Sequence, residues 1–309
     1  MCAEPAAADK PFKISWLRPA RLERADGGQF ATFGDEQAQG APNHMTQLVA
    51  DFREMVAEQI HYRELLVQMV KRDLLLRYKQ TAMGFGWAIF MPLVNTAVFS
   101  VIFTRVAPLD TGVPYPIFAY CGLCTWNFFA SSLRFSVNSL TSNPNLVSKV
   151  YFPREIFPLT ATLVSFVDFL ISAVVLVALM IYYGIVPTSA LLFLPLVMLV
   201  HIVFTLAIAL MLAMSNLFFR DVKYLFEVVL TVWMFVTSVL FPLDGVTGKL
   251  GTIMRLNPMT PIVDAYRSVL LFGQTPGLEF AISGALAVVL LAVAWLVFHR
   301  AEFAFAENI

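Results

Sequence analysis

From Met83 to Thr104 the chain carries no charged residue, and a charged amphipathic stretch, R-E-L-L-V-Q-M-V-K-R-D-L-L-L-R-Y-K from Arg63 to Lys79, leads directly into it. At 1.5 Å per residue, about 20 apolar residues cross a hydrocarbon core of roughly 30 Å. Runs of this kind recur downstream. They predict spans at 84–105, 115–138, 156–183, 189–215, 225–242 and 279–299, dominated by Phe, Leu, Val, Ile and Ala. The expected fold is an all-α polytopic membrane protein with six transmembrane helices.

Before the first span, from about Met45 to Gln80, the apolar period becomes helical. Tyr62, Leu66, Met69, Val70 and Leu74 share one face, while Glu64, Gln68, Lys71, Arg72 and Lys79 share the other. Such a helix lies in the membrane interface. Asp73 and Arg77 interrupt the apolar face at i, i+4 spacing. They either form a local ion pair or contact another subunit or the next helical segment. Residues 1–45 mix charges with Pro and Gly and lack a signal-peptide h-region, so a disordered cytoplasmic tail is expected, with F-K-I-S-W-L at Phe12 to Leu17 as a possible docking patch. The organisation predicted is a tail (1–45), an amphipathic interfacial region (46–82) and a six-helix transmembrane domain (83–309).

Composition supports a membrane protein, because 14% charged residues is well below the roughly one quarter of soluble domains. The net charge of +0 says little about partners, and no nucleic-acid partner is expected. Basic residues near span ends set orientation. Arg63, Lys71, Arg72, Arg77 and Lys79 precede the first span, Lys149 and Arg154 follow the second, Arg220 and Lys223 follow the fourth, and Arg300 follows the last. These segments share one side in a six-span topology, which places both termini in the cytoplasm. Arg105, Lys249, Arg255 and Arg267 fall on the other side.

Polar groups inside the spans narrow the chemistry, since a charge in hydrocarbon usually faces protein or water. Asp168 lies near the middle of the third span and His201 in the fourth, with Asn95, Asn127, Arg134 and Asn138 in the first two. Asp168 and His201 could form a proton relay if they faced each other, or act as separate packing groups. Cys121 and Cys124 form a lone C-x-x-C without further ligands nearby, so no metal site is expected. Trp87, Phe90, Phe99, Phe103, Tyr115, Phe118, Tyr120, Trp126, Phe128 and Phe129 crowd the first two spans. They suit interface belts and packing, or a conduit in which aromatic faces stack on sugar rings.

Two connections are unusual. The loop from Pro242 to Gly277 is too polar to span and too apolar for a free loop, which predicts re-entrant helices between spans five and six, covered by protein or facing water. Pro258 and Pro261 would start short helices there, Thr260 would cap one, and Gly273 would end it. The connection N-P-N-L-V-S-K-V-Y-F-P-R-E-I-F-P, Asn143 to Pro158, mixes apolar, aromatic and charged residues. It predicts a short helix parallel to the membrane that presents Lys149, Tyr151, Phe152, Arg154 and Glu155 to a soluble partner, or one that simply anchors at the interface.

Four segments in order carry a family resemblance: R-D-L-L-L-R-Y-K-Q-T-A-M-G-F-G-W at Arg72 to Trp87, N-L-V-S-K-V-Y-F-P-R-E-I-F-P at Asn145 to Pro158, F-R-D-V at Phe219 to Val222, and N-P-M-T-P-I-V-D-A-Y-R at Asn257 to Arg267. From Tyr62 onward the chain resembles the ABC-2 type permeases that export polysaccharides such as O-antigen and teichoic acid. The resemblance implies a homodimeric permease in the bacterial cytoplasmic (inner) membrane, joined to two copies of an ATP-binding subunit that holds ATP and Mg. Its substrate would be an undecaprenyl-pyrophosphate-linked polysaccharide.

By that likeness Asn143, Lys149, Tyr151, Phe152, Pro153, Arg154 and Glu155 couple to the ATPase, and Arg72, Asp73, Arg77, Tyr78 and Lys79 belong to a gate helix that meets the lipid pyrophosphate. Trp87, Phe90, Phe99, Tyr115, Tyr120, Trp126 and Phe129 would line the glycan channel. Asn257, Pro258, Pro261, Asp264 and Arg267 would form an outer gate. The chain departs from its relatives at Thr237 to Pro242, T-S-V-L-F-P where many read S-P-V-I-Y-P, which leaves the kink there without its proline.

No G-x-x-x-x-G-K-[ST] phosphate loop occurs, so this chain is not expected to be an enzyme, and energy would come from another chain or a gradient. The competing class is a gradient-driven secondary transporter using Asp168 and His201. A membrane enzyme acting on lipid-linked sugars would need a cluster of His, Asp or Arg at one membrane face, and the sequence offers none.

Overall fold

The computed structural model describes residues 57–79, 83–84, 86–106, 108–149, 152–243, 246 and 248–302. The 1–45 tail, Tyr151 and the side chain of Lys149 lie outside the described residues. Among the described residues the structure is helices and short connections, with no strand. The helices are α1 (Arg63–Tyr78), α2 (Gly86–Val101, extended by a π-helical turn, Ile102–Val106), α3 (Tyr115–Ser139) and α4 (Pro144–Lys149). Next come α5 (Ile156–Tyr182), α6 (Leu194–Phe218, entered through a 3-10 turn, Ser189–Phe193) and α7 (Val222–Val236). The last are α8 (Gly248–Leu256), α9 (Met259–Arg267, continued by a π-helical turn, Ser268–Phe272) and α10 (Leu278–Ala301).

Among the described residues, four stretches are long and apolar enough to cross a membrane: Gly86–Val106, Ile156–Tyr182, Ser189–Phe218 and Leu278–Ala301. They coincide with the first, third, fourth and sixth predicted spans. The other two fall short for different reasons. α3 has the length, at 25 residues, but carries Asn127, Ser131, Arg134 and Asn138. α7 has only 15 residues, a rise of about 22 Å against a core of roughly 30 Å.

α3 is the central element, packing against α2, α5, α6, α7 and α9, while α6 also carries α10 along its length. The reason lies in its side chains: Ile117, Tyr120, Phe129 and Leu133 have no accessible surface. They interleave with Phe169 of α5, Phe204 of α6 and Ile262 and Tyr266 of α9. In lipid the apolar environment gives helices little reason to associate, so dispersion and interhelical hydrogen bonds of about 0.6–2 kcal/mol each hold such a bundle. Tyr120 donates its hydroxyl to the Ser172 carbonyl at 3.0 Å, Ser172 to the Ala88 carbonyl at 2.8 Å, and Asn216 its amide to the Val137 carbonyl at 2.7 Å. These three bonds join α2, α3, α5 and α6.

A second core lies at the α1 and α4 end of the bundle, where Met69, Leu140, Val147, Phe152, Ile156, Leu217 and Phe298 meet. Met69 is the buried member of α1, with Tyr62 and Leu66 partly buried against the same core. Of the residues predicted for the polar face, Glu64, Gln68, Lys71 and Lys79 are exposed and Arg72 is half-buried. Leu75 and Leu76, however, also point outward at 65% and 70% exposure, so α1 has an apolar edge that the rest of the chain leaves uncovered.

Candidate functional site

The region where α1 meets α5 corrects one expectation. Asp73 does not pair with Arg77, because its carboxylate accepts from the neighbouring Arg72 at 2.8 Å. Arg77 instead forms an ion pair with Asp168 on α5, and Tyr78 donates to the other Asp168 oxygen at 2.5 Å. The Arg77 guanidinium also lies over the Phe135 ring, 3.8 Å from its centroid. Burial, followed by the hydrogen bond to Asp168, pushes the Tyr78 phenol up from its ordinary value, so it remains a donor. The physical reason for the change of partner is that Asp168 sits in an otherwise apolar stretch where a carboxylate needs a cation. Asp73 and Arg72 are partly exposed and are satisfied by each other and by solvent.

The Asn143–Glu155 segment also turns differently from the expectation. The Asn143 carbonyl accepts from Leu146 and Val147 and opens the six-residue α4, whose Pro144 and Asn145 are exposed. Phe152 and Pro153 are buried rather than presented, with Phe152 stacked at a tilt on Phe157, 5.5 Å between centroids. Arg154 turns to Glu302 at the end of α10: its guanidinium donates to the Glu302 carbonyl, and its backbone N–H donates to Glu302 Oε1 at 3.2 Å. Glu155 is 4% exposed and faces His299 Nδ1 at 3.4 Å. Burial, then the neighbouring Glu155 charge, pushes the Glu302 carboxyl up to about 7. The segment is thus bolted to the last turn of α10, and α4 offers the outward face.

At the opposite end, α7 stops at Val236 and Thr237 is extended although no proline follows it. The break is held by tertiary contacts. Asn257 donates to Thr237 Oγ1 at 2.8 Å and accepts from Trp233 Nε1 at 2.9 Å and from the Met259 N–H at 3.1 Å. Asn257, rather than Thr260, therefore satisfies the start of α9. Ser238 donates to Asp264 at 2.9 Å, and the Tyr115 hydroxyl to the Leu240 carbonyl at 2.9 Å. Arg267 donates to the Ser238 and Val239 carbonyls at 2.5 and 2.6 Å, reaches Asp264 at 3.2 Å, and lies 3.7 Å over the Phe118 ring. Pro258 and Pro261 stand at the start of α9, and Gly273 ends the following turn at φ 65°, as predicted.

Gly122 of α3 makes this closeness possible, since an added Cβ would overlap the Val239 carbonyl and the Arg267 guanidinium. Gly122→Ala is expected to cost about 1–3 kcal/mol by overpacking, read as a lower unfolding temperature.

The predicted aromatic set divides. Tyr115, Tyr120, Trp126 and Phe129 are packed inside the helix bundle, and Phe99 lies partly buried against the core. Trp87 and Phe90 stand on the outer face of α2 at 38% and 44% exposure, edge to face at 5.7 Å. The α3 face left uncovered carries a polar row, Asn127, Ser131, Arg134 and Asn138 at helical spacing, with Arg134 exposed and the other three half-buried, and beside it Phe135 at 47% exposure. Arg134 Nε reaches Glu227 of α7 at 3.1 Å, so the polar row continues onto a second helix.

The sequence pattern of the family described as ABC-2 type transporter matches residues 64–271, more than half of the chain. The chain belongs to the ABC-2 type transporter family. It is 31% identical over 259 residues to a protein named O-antigen export system permease protein RfbA of Myxococcus xanthus, an alignment covering 82% of this chain and 99% of that relative. Two proteins of the same name from Klebsiella pneumoniae are 27% and 28% identical over 246 residues, covering 79% of this chain and 94% of each.

Within the ABC-2 type transporter match lie the Arg77–Asp168 clamp, the α4 segment and the Arg267 lock. α10, with His299, lies beyond it. Sequence reasoning missed the partners of these residues: Asp168 for Arg77 and Tyr78, Glu302 and His299 for Arg154 and Glu155, and Phe118 and Gly122 for Arg267. A lone charge in an apolar run was the available signal for Asp168. The two residues named for a gradient-driven alternative have different partners. Asp168 serves α1, while His201 is fully buried, edge-on to Phe128 at 4.7 Å, with Nδ1 3.4 Å from the Tyr266 hydroxyl.

Proposed function

We propose that this chain is the membrane-spanning subunit of an ATP-driven exporter carrying O-antigen, as an undecaprenyl-pyrophosphate-linked polysaccharide, out of the cytoplasm across the inner membrane. The observation that carries this reading is the likeness, over 82% of this chain and 99% of the relative, to an O-antigen export system permease, together with membership of the ABC-2 type transporter family. α2, α3, α5, α6, α7 and α10 are the six spans, with α7 lengthened by the Thr237–Pro242 segment and both termini cytoplasmic. α8 and α9 are the re-entrant pair at the outer face. α1 lies in the inner interface, its outward Leu75 and Leu76 in lipid and its exposed Lys71 and Lys79 at headgroup depth.

Two copies pack side by side, and the polar row of Asn127, Ser131, Arg134 and Asn138 with Glu227 faces the seam between them. Its exposure supports this, because such a row is costly against lipid and suits a hydrated path. Trp87 and Phe90 offer ring faces for sugars beside it. Two copies of a separate ATPase, holding ATP and Mg, dock on α4. Their movement passes through the buried Phe152–Glu155 segment into α5, and from Asp168 into α1. Lys71 and Lys79 are the cations open to the pyrophosphate first. Arg77 follows when its pair with Asp168 is released, since a guanidinium fork matches phosphate oxygens.

The test is purification of the tagged chain from its native membrane in mild detergent, with mass spectrometry of whatever accompanies it. A soluble protein with a phosphate loop, present in stoichiometric amount and lost when Pro144 and Asn145 are both changed to Asp, is the expected result. A homo-oligomer that carries no ATPase under repeated gentle solubilisation would refute the reading.

A further inference from the structure

We propose that Glu155, His299 and Glu302 form a binding site for a divalent transition-metal ion, which clips the entry of α5 to the last turn of α10. His299 Nδ1 stands 3.4 Å from Glu155 Oε1 and 3.8 Å from Glu302 Oε2. One donor atom from each residue lies within 4.8 Å of the others. Metal bonds of about 2.0–2.2 Å separate neighbouring ligand atoms by about 3–4 Å, so small side-chain shifts close the trio on an ion. One imidazole and two carboxylates suit zinc, manganese or iron(II), with the remaining positions taken by water.

A second observation points to a ligand here. Glu155 is 4% exposed, and its Oε2 is buried with no hydrogen-bond partner. A buried carboxylate oxygen left unmatched is costly, and an ion held by both oxygens of Glu155 supplies what Oε2 lacks while Oε1 faces His299. Glu302 is oriented as a ligating carboxylate commonly is: Oε1 accepts from the Arg154 N–H at 3.2 Å, which leaves Oε2 turned toward His299. The Arg154 guanidinium, 3.9 Å from Glu302 Oε1, is the outer partner that balances the second carboxylate.

The clip goes beyond the exporter reading and does not depend on it, because metal binding is measured without transport. The full-length chain, carrying a tag without histidine, is stripped with a chelator in lipid nanodiscs and titrated with zinc by calorimetry. Saturation at one ion per chain is expected, with His299→Gln and Glu302→Gln each weakening binding more than about 10-fold. Replacing the exposed His61 with Ala should leave binding unchanged. On the unaltered chain, zinc should protect His299, and not His61, from diethylpyrocarbonate, a readout independent of how the variants fold. Absence of saturable binding, equal binding by the His299 and Glu302 variants, or unprotected His299 would overturn the site and leave a cluster of ion pairs alone.

Discussion

Replacing Arg267 with Met is expected to cost about 3–5 kcal/mol, enough to remove most of the folded protein from a detergent extract. The side chain is 3% exposed and answers four groups at once: two carbonyls of the Ser238–Val239 turn, the Asp264 carboxylate and the face of Phe118. Methionine fills the volume but leaves both carbonyls without their donor in a buried place, and the break after α7 loses its tether. Lysine keeps the charge and cannot bridge two carbonyls while stacking flat on a ring, so Arg267→Lys should recover only part of the loss. Asp264→Asn should be milder, since the Asp264 side chain is 40% exposed and the carbonyl contacts survive it. Unfolding temperatures of the three variants decide the matter. An Arg267→Met protein as stable as the parent would show that the turn holds itself.

The second large effect is expected at Asp168. Alanine there removes the acceptor for both Arg77 and Tyr78, leaves a guanidinium in an apolar setting, and frees α1 from α5. Export should be lost while the protein still assembles, because the contact holds a peripheral helix and not the α3-centred core. A double-mutant cycle with Arg77→Ala should return a coupling of about 1–3 kcal/mol, since both side chains are mostly buried at 20% and 18% exposure. Asp168→Asn, which still accepts from Tyr78, should fall between. Independent effects of the two single changes would mean that α1 is held by Met69 and its neighbours alone.

How much of this was legible in the sequence depends on the range of the contacts. Apolar length alone located the four strongest spans, because a run of about 20 residues has few other uses. The start and stop of α9 were local as well, with Pro258, Pro261 and Gly273 acting through their own backbone. The end of α7 was not, because a T-S-V sequence has no breaker and is held open by Asn257, between α8 and α9, and by Arg267 at the end of α9. Asp73 and Arg77 have the right spacing for a pair, yet a carboxylate 91 residues further on wins because it is the more buried. Phe152 lies past the end of α4, outside any helix, so there was no period from which to read that it turns inward. Glu155, His299 and Glu302 come from distant positions, and no spacing rule reaches across them.

By the proposed function, this chain moves a lipid-linked glycan with energy taken from another subunit. The measurement that meets it most directly uses proteoliposomes containing the chain and its co-purified ATPase, loaded with lipid-linked O-antigen, with transfer to the far leaflet read by a glycan-specific binder. Transfer that requires ATP and both proteins is the result expected. Transfer by the chain alone, driven by an imposed proton gradient and abolished by Asp168→Asn or His201→Gln, would contradict it.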